Sequence, residues 1–234
     1  MPSKIYLIPS LLSEDAVETI PSSVIKAVKQ CQVFFVEDER TARRFLKKLW
    51  KEIMIDHYEW FEIGKAEENL LVQFKQKIKE EKIIGIISEA GCPGIADPGQ
   101  KLIAAAQKLQ AHIQPLVGPS SILLALMASG MNGQQFQFDG YLPINNAART
   151  KRLKELEAES KKKNCTQIFI ETPYRNNQLV EAIIKICQPS TQLCIAASLT
   201  AENEIVKTKT IAEWKAAKPE LHKQPVIFLL YAGS

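Results

Sequence analysis

The feature that most constrains this chain is a set of short apolar runs in which apolar and polar residues do not alternate. They are Lys4–Pro9 (KIYLIP), Val33–Val36 (VFFV), Lys82–Ser88 (KIIGIIS) and His112–Val117 (HIQPLV). A strand with one wet face alternates apolar and polar residues, whereas a continuously apolar strand needs cover on both faces. Between the runs, apolar residues recur at a spacing of three to four over Ser23–Lys29, Thr41–Leu49, Leu70–Glu80 and Gln100–Leu109, which is the helical period. Buried strands separated by helices predict an α/β fold with a parallel sheet. A further apolar helix, Ile122–Ala128, is expected to open after Gly118-Pro119-Ser120-Ser121 and to stop near Gly130.

The character changes after Gly130. Met131–Gln135 (MNGQQ) reads as a polar linker and divides the chain into an N-terminal α/β domain, 1–132, and a C-terminal α/β domain, 133–234. The second half runs QFDGYLP, a basic helix, TQIFIETP, another helix, QLCIAASLT and QPVIFLLYAG. Hairpin-like signals around Glu202–Lys209 and Pro219–Pro225 predict a mixed sheet there. With 234 residues, 46% of them hydrophobic, two cores are available without disulfides or metal. The five cysteines form no C-x-x-C pair, and His57, His112 and His222 are far apart, so no metal site is predicted. No apolar run reaches the ~18 residues that cross a bilayer. The opening MPSKIYLIPSLL reads as a first strand rather than a signal peptide, and a cytoplasmic protein without membrane contact is expected. A net charge of +4 neither announces nor excludes a nucleic-acid partner.

In open parallel sheets, ligands gather beyond the carboxyl ends of the strands. Three such ends carry unusual residues. Ser88-Glu89-Ala90-Gly91-Cys92-Pro93-Gly94-Ile95-Ala96-Asp97-Pro98-Gly99 has three Gly and two Pro between strand and helix. It reads either as a rigid turn or as a loop whose bare backbone approaches a ligand, and its place after a buried strand favours the second. Ser120 or Ser121 is suited to cap the helix that follows, with one hydroxyl to spare for a ligand. Glu37-Asp38-Glu39-Arg40 reads by itself as an acidic first helical turn that complements the macrodipole. G-x-G-x-x-G after the first strand, the P-loop pattern and the G-x-S-x-G elbow are all absent, which disfavours dinucleotide-binding dehydrogenases, P-loop NTPases and elbow-type hydrolases.

Taken together, these loops resemble the tetrapyrrole methylase (class III) superfamily of S-adenosylmethionine-dependent methyltransferases. Within it they resemble most the ribosomal RNA small subunit methyltransferase I family. SEAGCPGIADPG is similar to that family's S-D-A-G-T-P-x-I-S-D-P-G, Glu37–Arg40 to its E-D-T-R, and Val117–Ser121 to its x-G-P-S-A. Phe138–Pro143 is similar to F-x-G-F-L-P, Glu171–Arg175 to E-S-P-H-R, and Leu199-Thr200 with Glu204 to L-T-K-x-x-E. The departures are Pro9-Ser10-Leu11-Leu12-Ser13-Glu14 in place of P-T-P-I-G-N, Glu89 for Asp, Cys92 for Thr and Ala201 for Lys. The family's C-terminal extension is also not among these residues, which stop just after the last expected strand.

The resemblance implies two α/β domains of the tetrapyrrole methylase type with a cofactor cleft between them and S-adenosyl-L-methionine as cofactor. It places Ala90, Gly91, Cys92, Ile95, Ser120, Ser121 and Glu171 on that cofactor, with Leu11 and Leu230 as further candidates. Cys92 is expected to act as a spacer, not a nucleophile. For 2′-O-ribose methylation of small-subunit ribosomal RNA, it implies Glu37 or Asp38 as proton acceptor and Arg40 and Arg175 as anchors for phosphate or substrate. Basic stretches at Arg40–Lys51 and Arg149–Lys163 read as solvated helix faces or as RNA contacts, without an interleaved aromatic platform, since Phe45 of the first belongs to its buried face. The implied partners are ribosomal RNA or the ribosomal subunit and a second copy of the chain in a homodimer, with no DNA. The departures keep open a tetrapyrrole, protein or other small-molecule acceptor, and also a non-catalytic module that binds the cofactor.

Overall fold

A computed structural model describes residues 3–64 and 67–233 of the chain. These form two compact units, Met1–Ser120 and Ser121–Ser234. The first contains β1 (Lys4–Ile8), α1 (Ser22–Val28), β2 (Val33–Val36), α2 (Glu39–Leu49), β3 (Glu59–Glu62), α3 (Glu67–Lys79), β4 (Ile84–Ile87), α4 (Gln100–Lys108) and β5 (His112–Pro115). Its strands lie in the order β3-β2-β4-β1-β5 and all pair in parallel. The four apolar runs become four of these strands, and β2 and β4 are buried throughout. Two apolar clusters flank this sheet, one around Phe34, Leu46 and Ile8 and the other around Phe35, Phe74 and Ile86. Each such side chain stabilises the fold by about 1.5–3 kcal/mol through burial.

The edge strand β3 is an addition to the expected set. Its four residues, EWFE, begin and end on charges and are only partly buried, so they carry neither a continuous apolar run nor a long alternation. Gly85 in β4 permits the close layering there, since a Cβ at that position would lie 2.6 Å from the Phe34 ring.

The second unit contains α5 (Ser121–Ser129), β6 (Phe136–Tyr141), α6 (Asn146–Lys163), β7 (Thr166–Ile170), α7 (Asn176–Ile186), β8 (Gln192–Ala197), β9 (Ile205–Thr210), α8 (Ile211–Ala216) and β10 (Val226–Tyr231). The sheet order is β6-β7-β10-β8-β9. Only β6 and β7 pair in parallel and the other pairs are antiparallel, so the sheet is mixed. The units divide between Ser120 and Ser121, ahead of the polar linker that marked the expected 132/133 boundary. Helix α5 packs on β8, β9 and β10 and therefore belongs with the second sheet.

The signal at Glu202–Lys209 corresponds to the β8–β9 hairpin, with Ser198 and Thr200 at positive φ in its turn. The signal at Pro219–Pro225 does not form a hairpin. Two prolines cannot donate to a ladder, and this segment joins α8 to β10 while Lys223 N–H bonds the Pro173 carbonyl at 3.1 Å. No helix among the described residues is long and apolar enough to cross a membrane.

Candidate functional site

Four loops leave the carboxyl edge of the first sheet and are tied together there. Ser10, after β1, exchanges backbone hydrogen bonds with Gly91, after β4, at 2.9 and 3.3 Å. The Ser10 hydroxyl also donates to the Ser88 carbonyl at 2.8 Å. Glu37, after β2, accepts the Glu89 N–H at 3.0 Å. The Cys92 thiol lies 3.5 Å from the Pro119 carbonyl in the loop after β5. Gly118 lets that loop pass Pro9, where a Cβ would stand 2.2 Å from the proline's own Cβ.

The long loop after β4 is shaped by glycine and one aspartate. Gly91 and Gly94 take φ of +71° and +86°, a region that disfavours side chains. The Asp97 carboxylate holds the turn closed by accepting the N–H groups of Gly94 and Gly99, each at 2.8 Å. The result is a pinned backbone shelf at a strand end, with Gly91, Pro93 and Gly99 buried and Ala90 and Ile95 exposed.

The electrostatics of this edge are unusual. Burial raises the Glu37 carboxyl above its ordinary range, the Glu89 amide opposes that, and the charge of Asp97 adds to the rise. Glu89 is raised by burial and then by Asp38 and Glu37, and Asp97 by burial against its amide bonds. The Cys92 thiol is raised by burial, consistent with a spacer rather than a nucleophile. Adjacent acids in the sequence have separate tasks. Asp38 is the N-cap of α2, accepting the Thr41 N–H at 2.7 Å and the Thr41 hydroxyl at 2.9 Å. Arg40, exposed on the first turn, makes no ion pair among the described residues.

The buried side of α2 is Ala42, Phe45 and Leu46. On its wet side, Arg43 pairs with Glu39 at 2.5 Å and covers the Trp60 ring. Arg44 and Lys48 reach Glu14 at 3.7 and 3.2 Å. On α6, Arg152 is engaged with Asp139, Glu155 and Glu159, and Arg149 is buried. Part of the positive charge legible in both stretches is therefore paired with carboxylates of the same unit, for the most part at the surface.

Glu171 and Arg175 meet within the second unit. Arg175 Nη2 and Nε donate to Glu171 Oε1 at 2.6 and 3.0 Å, and the Thr172 N–H donates to the same oxygen at 2.7 Å. The other oxygen, Oε2, is buried with no hydrogen-bond partner among the described residues. Ser121 opens α5 and Ser120 precedes it, both half-buried. Leu230 is a correction to the expected set. It is fully buried in β10, paired between Leu193 and Gln167, so its side chain serves the core and offers no surface to a ligand. The Leu199-Thr200…Glu204 motif closes its own turn, with Thr200 N–H donating to Glu204 Oε2 at 2.6 Å.

The first sheet's edge thus gathers Leu11, Glu37, Asp38, Ala90, Gly91 and Cys92, while Glu171 and Arg175 form a pair of their own. Sequence reasoning did not single out Asp97 as the staple of the long loop or Glu14 as the partner of Arg44 and Lys48. The D-P-G step after a left-handed Ala96 was the available signal for the first. Nothing local in the sequence signals the second, because its partners lie thirty or more positions away.

Comparison with known proteins fits this geometry. The sequence profile described as Tetrapyrrole (Corrin/Porphyrin) Methylases matches residues 15–215. The chain is 30% identical over 151 residues to a protein of Vibrio cholerae named ribosomal RNA small subunit methyltransferase I, covering 63% of this chain and 51% of that protein. It spans about half the length of the curated relatives it matches, 46% in the case of the Escherichia coli protein of the same name at 31% identity. Among solved structures, diphthine synthase superposes with a TM-score of 0.70 at 13% identity, over 98% of this chain and 89% of that one. Uroporphyrin-III C-methyl transferase from Thermus thermophilus, complexed with S-adenyl homocysteine, gives 0.58 at 14% identity, over 98% and 97%.

Proposed function

The chain belongs to the tetrapyrrole methylase family, and from that premise we propose that it is an S-adenosylmethionine-dependent methyltransferase acting on small-subunit ribosomal RNA at a ribose 2′-hydroxyl. The observation that carries the reading is the tied cluster of loops at the first sheet's carboxyl edge, where a backbone shelf stands beside a carboxyl of raised pKa, Glu37.

The residues present suit this cofactor. A nucleoside with a sulfonium and an amino-acid tail, carrying no phosphate, needs close backbone approach and a few polar acceptors rather than a cationic cradle. Leu11, Ala90, Gly91, Cys92, Ile95, Ser120 and Ser121 supply the backbone, small side chains and hydroxyls. Glu171 supplies a buried oxygen without a partner, ready to accept from a hydroxyl or an ammonium. S-adenosylmethionine, when bound, supplies an electrophilic methyl group on a sulfonium. The chain's own task is to align the acceptor and to take its proton.

Glu37 suits the second task better than Asp38. A carboxylate with a raised pKa is the stronger base, whereas the Asp38 carboxylate is occupied in capping α2. Arg40, exposed and without an ion pair, is suited to anchor a phosphate, and Arg175 holds Glu171 in place. The proposal includes a homodimer in the cytoplasm, the first checked by light scattering on the purified protein and the second by cell fractionation.

The test is mass spectrometry of ribosomal RNA from a strain lacking this protein. A ribose methyl should disappear, return with the wild-type chain and fail to return with Glu37→Gln. An unchanged RNA profile would sink the RNA reading and direct attention to a tetrapyrrole, protein or small-molecule acceptor, or to a binding module without turnover.

A further inference from the structure

A cavity of about 250 Å³ lies within the first unit, between the loop after β1, the face of α2 and the start of the loop after β4. Leu11, Leu12 and Phe45 form its apolar wall, and Thr41, Arg44 and Lys48 line it from the helix. Two features of the sequence that the proposed reaction leaves unused, the altered first loop and the basic stretch of α2, meet here. The contact between them is Glu14. Its carboxylate lies 3.7 Å from Arg44 and 3.2 Å from Lys48, and its carbonyl accepts from the Lys48 ammonium at 3.0 Å.

We propose that this cavity is a subsite for one phosphate–ribose unit of a single-stranded RNA, with Arg44 and Lys48 taking the phosphate and Glu14 acting as the counter-ion it displaces. The inference rests on the RNA reading above and adds a recognition element to it. Four observations support it. Two cations, Arg44 and Lys48, converge on one cavity, whose lining also holds the carboxylates of Glu14 and Glu89, and they are the charged donors that phosphate calls for. The cavity is below the ~300–1,000 Å³ of sites that enclose whole drug-sized ligands, so it suits one nucleotide unit and not a macrocycle. Leu11 and Ala90, assigned above to the cofactor, also line it, so an occupant would stand against the cofactor's wall. The Glu14 pairs are solvent-exposed, with 73% of the Glu14 side chain accessible, so they exchange readily for a stronger anion.

Hexauridylate binding by fluorescence anisotropy, at several salt concentrations, tests this on the full chain. Glu14→Gln should tighten binding roughly three- to fivefold, the worth of two exposed ion pairs. Arg44→Gln with Lys48→Gln should weaken it about tenfold and flatten the log–log salt slope by about 0.7, for the one phosphate no longer neutralised. The control is Lys75→Gln with Lys79→Gln on α3, which removes the same charge elsewhere. Affinity for S-adenosylmethionine, measured by calorimetry, should be the same in all of them.

If the wild-type chain does not bind the hexamer, or either test variant behaves like the control, the subsite is disproved. Movement of cofactor affinity in step with RNA affinity would assign the cavity to the cofactor and overturn the proposal as well. Should the hexamer results hold while ribosomal RNA stays unmethylated, the acceptor reading fails and the phosphate subsite stands.

Discussion

Two neighbouring acids at the end of β2 show how much one residue position decides. In the sequence, Glu37 and Asp38 are interchangeable candidates for a base. In the structure, the shorter Asp38 folds back on the Thr41 amide and the longer Glu37 reaches across to the Glu89 amide. Replacing Asp38 by Ala should cost about 1 kcal/mol of stability through loss of the cap, read by urea denaturation. Glu37→Gln should behave oppositely. Its carboxyl is held above the ordinary range by burial, so the folded state binds that proton more tightly than the unfolded chain does. Between the two pKa values stability therefore falls as pH rises, and above them the full cost remains. Glutamine keeps the acceptor oxygen and removes that cost. At pH 8 the melting temperature should be unchanged or higher while kcat/KM falls by roughly 10²-fold or more. In the wild type, kcat/KM should rise with pH through the raised Glu37 pKa. A variant that loses stability and keeps turnover would reverse this assignment.

At the scale of elements, the strand-end loops hold each other by contacts that tolerate no extra atoms. Gly118→Ala sets a methyl against Pro9, and overpacking of that kind costs ~1–3 kcal/mol. The melting temperature should fall, and S-adenosylmethionine affinity should fall with it, because the loop after β5 is displaced from Cys92. Intact cofactor affinity in a destabilised Gly118→Ala would separate the loop from the cofactor. Continuous apolar runs made β1, β2 and β4 legible, and β5, a half-exposed edge strand, showed through the longer run HIQPLV, whereas β3 did not, because EWFE begins and ends on charges. The Gly- and Pro-rich loop could be recognised as special from its composition. Its closure by Asp97 could not, because amide bonds to Gly94 and Gly99 depend on the path of the turn.

For the whole molecule, each unit encloses an apolar core of its own. Scanning calorimetry should therefore give a calorimetric enthalpy above the van't Hoff value. Equal enthalpies would show that the two cores unfold as one. The place of the division was only partly legible. Composition points to the polar stretch after Gly130, but α5 is apolar around much of its circumference and does not show by itself which sheet it covers. Packing against β8, β9 and β10 assigns it to the second unit.

The sequence by itself determined the α/β class, the parallel first sheet, the mixed second sheet and the unusual composition of the strand-end loops. Those properties depend on local periodicity and on residues that only certain backbones accept. The tertiary structure decided which acid is a cap and which is a candidate base, that Leu230 is core, and that Glu14 pairs with Arg44 and Lys48. It decided them because burial and long-range pairing are set by partners tens of residues away, and a carboxylate's task depends on which of those partners it meets.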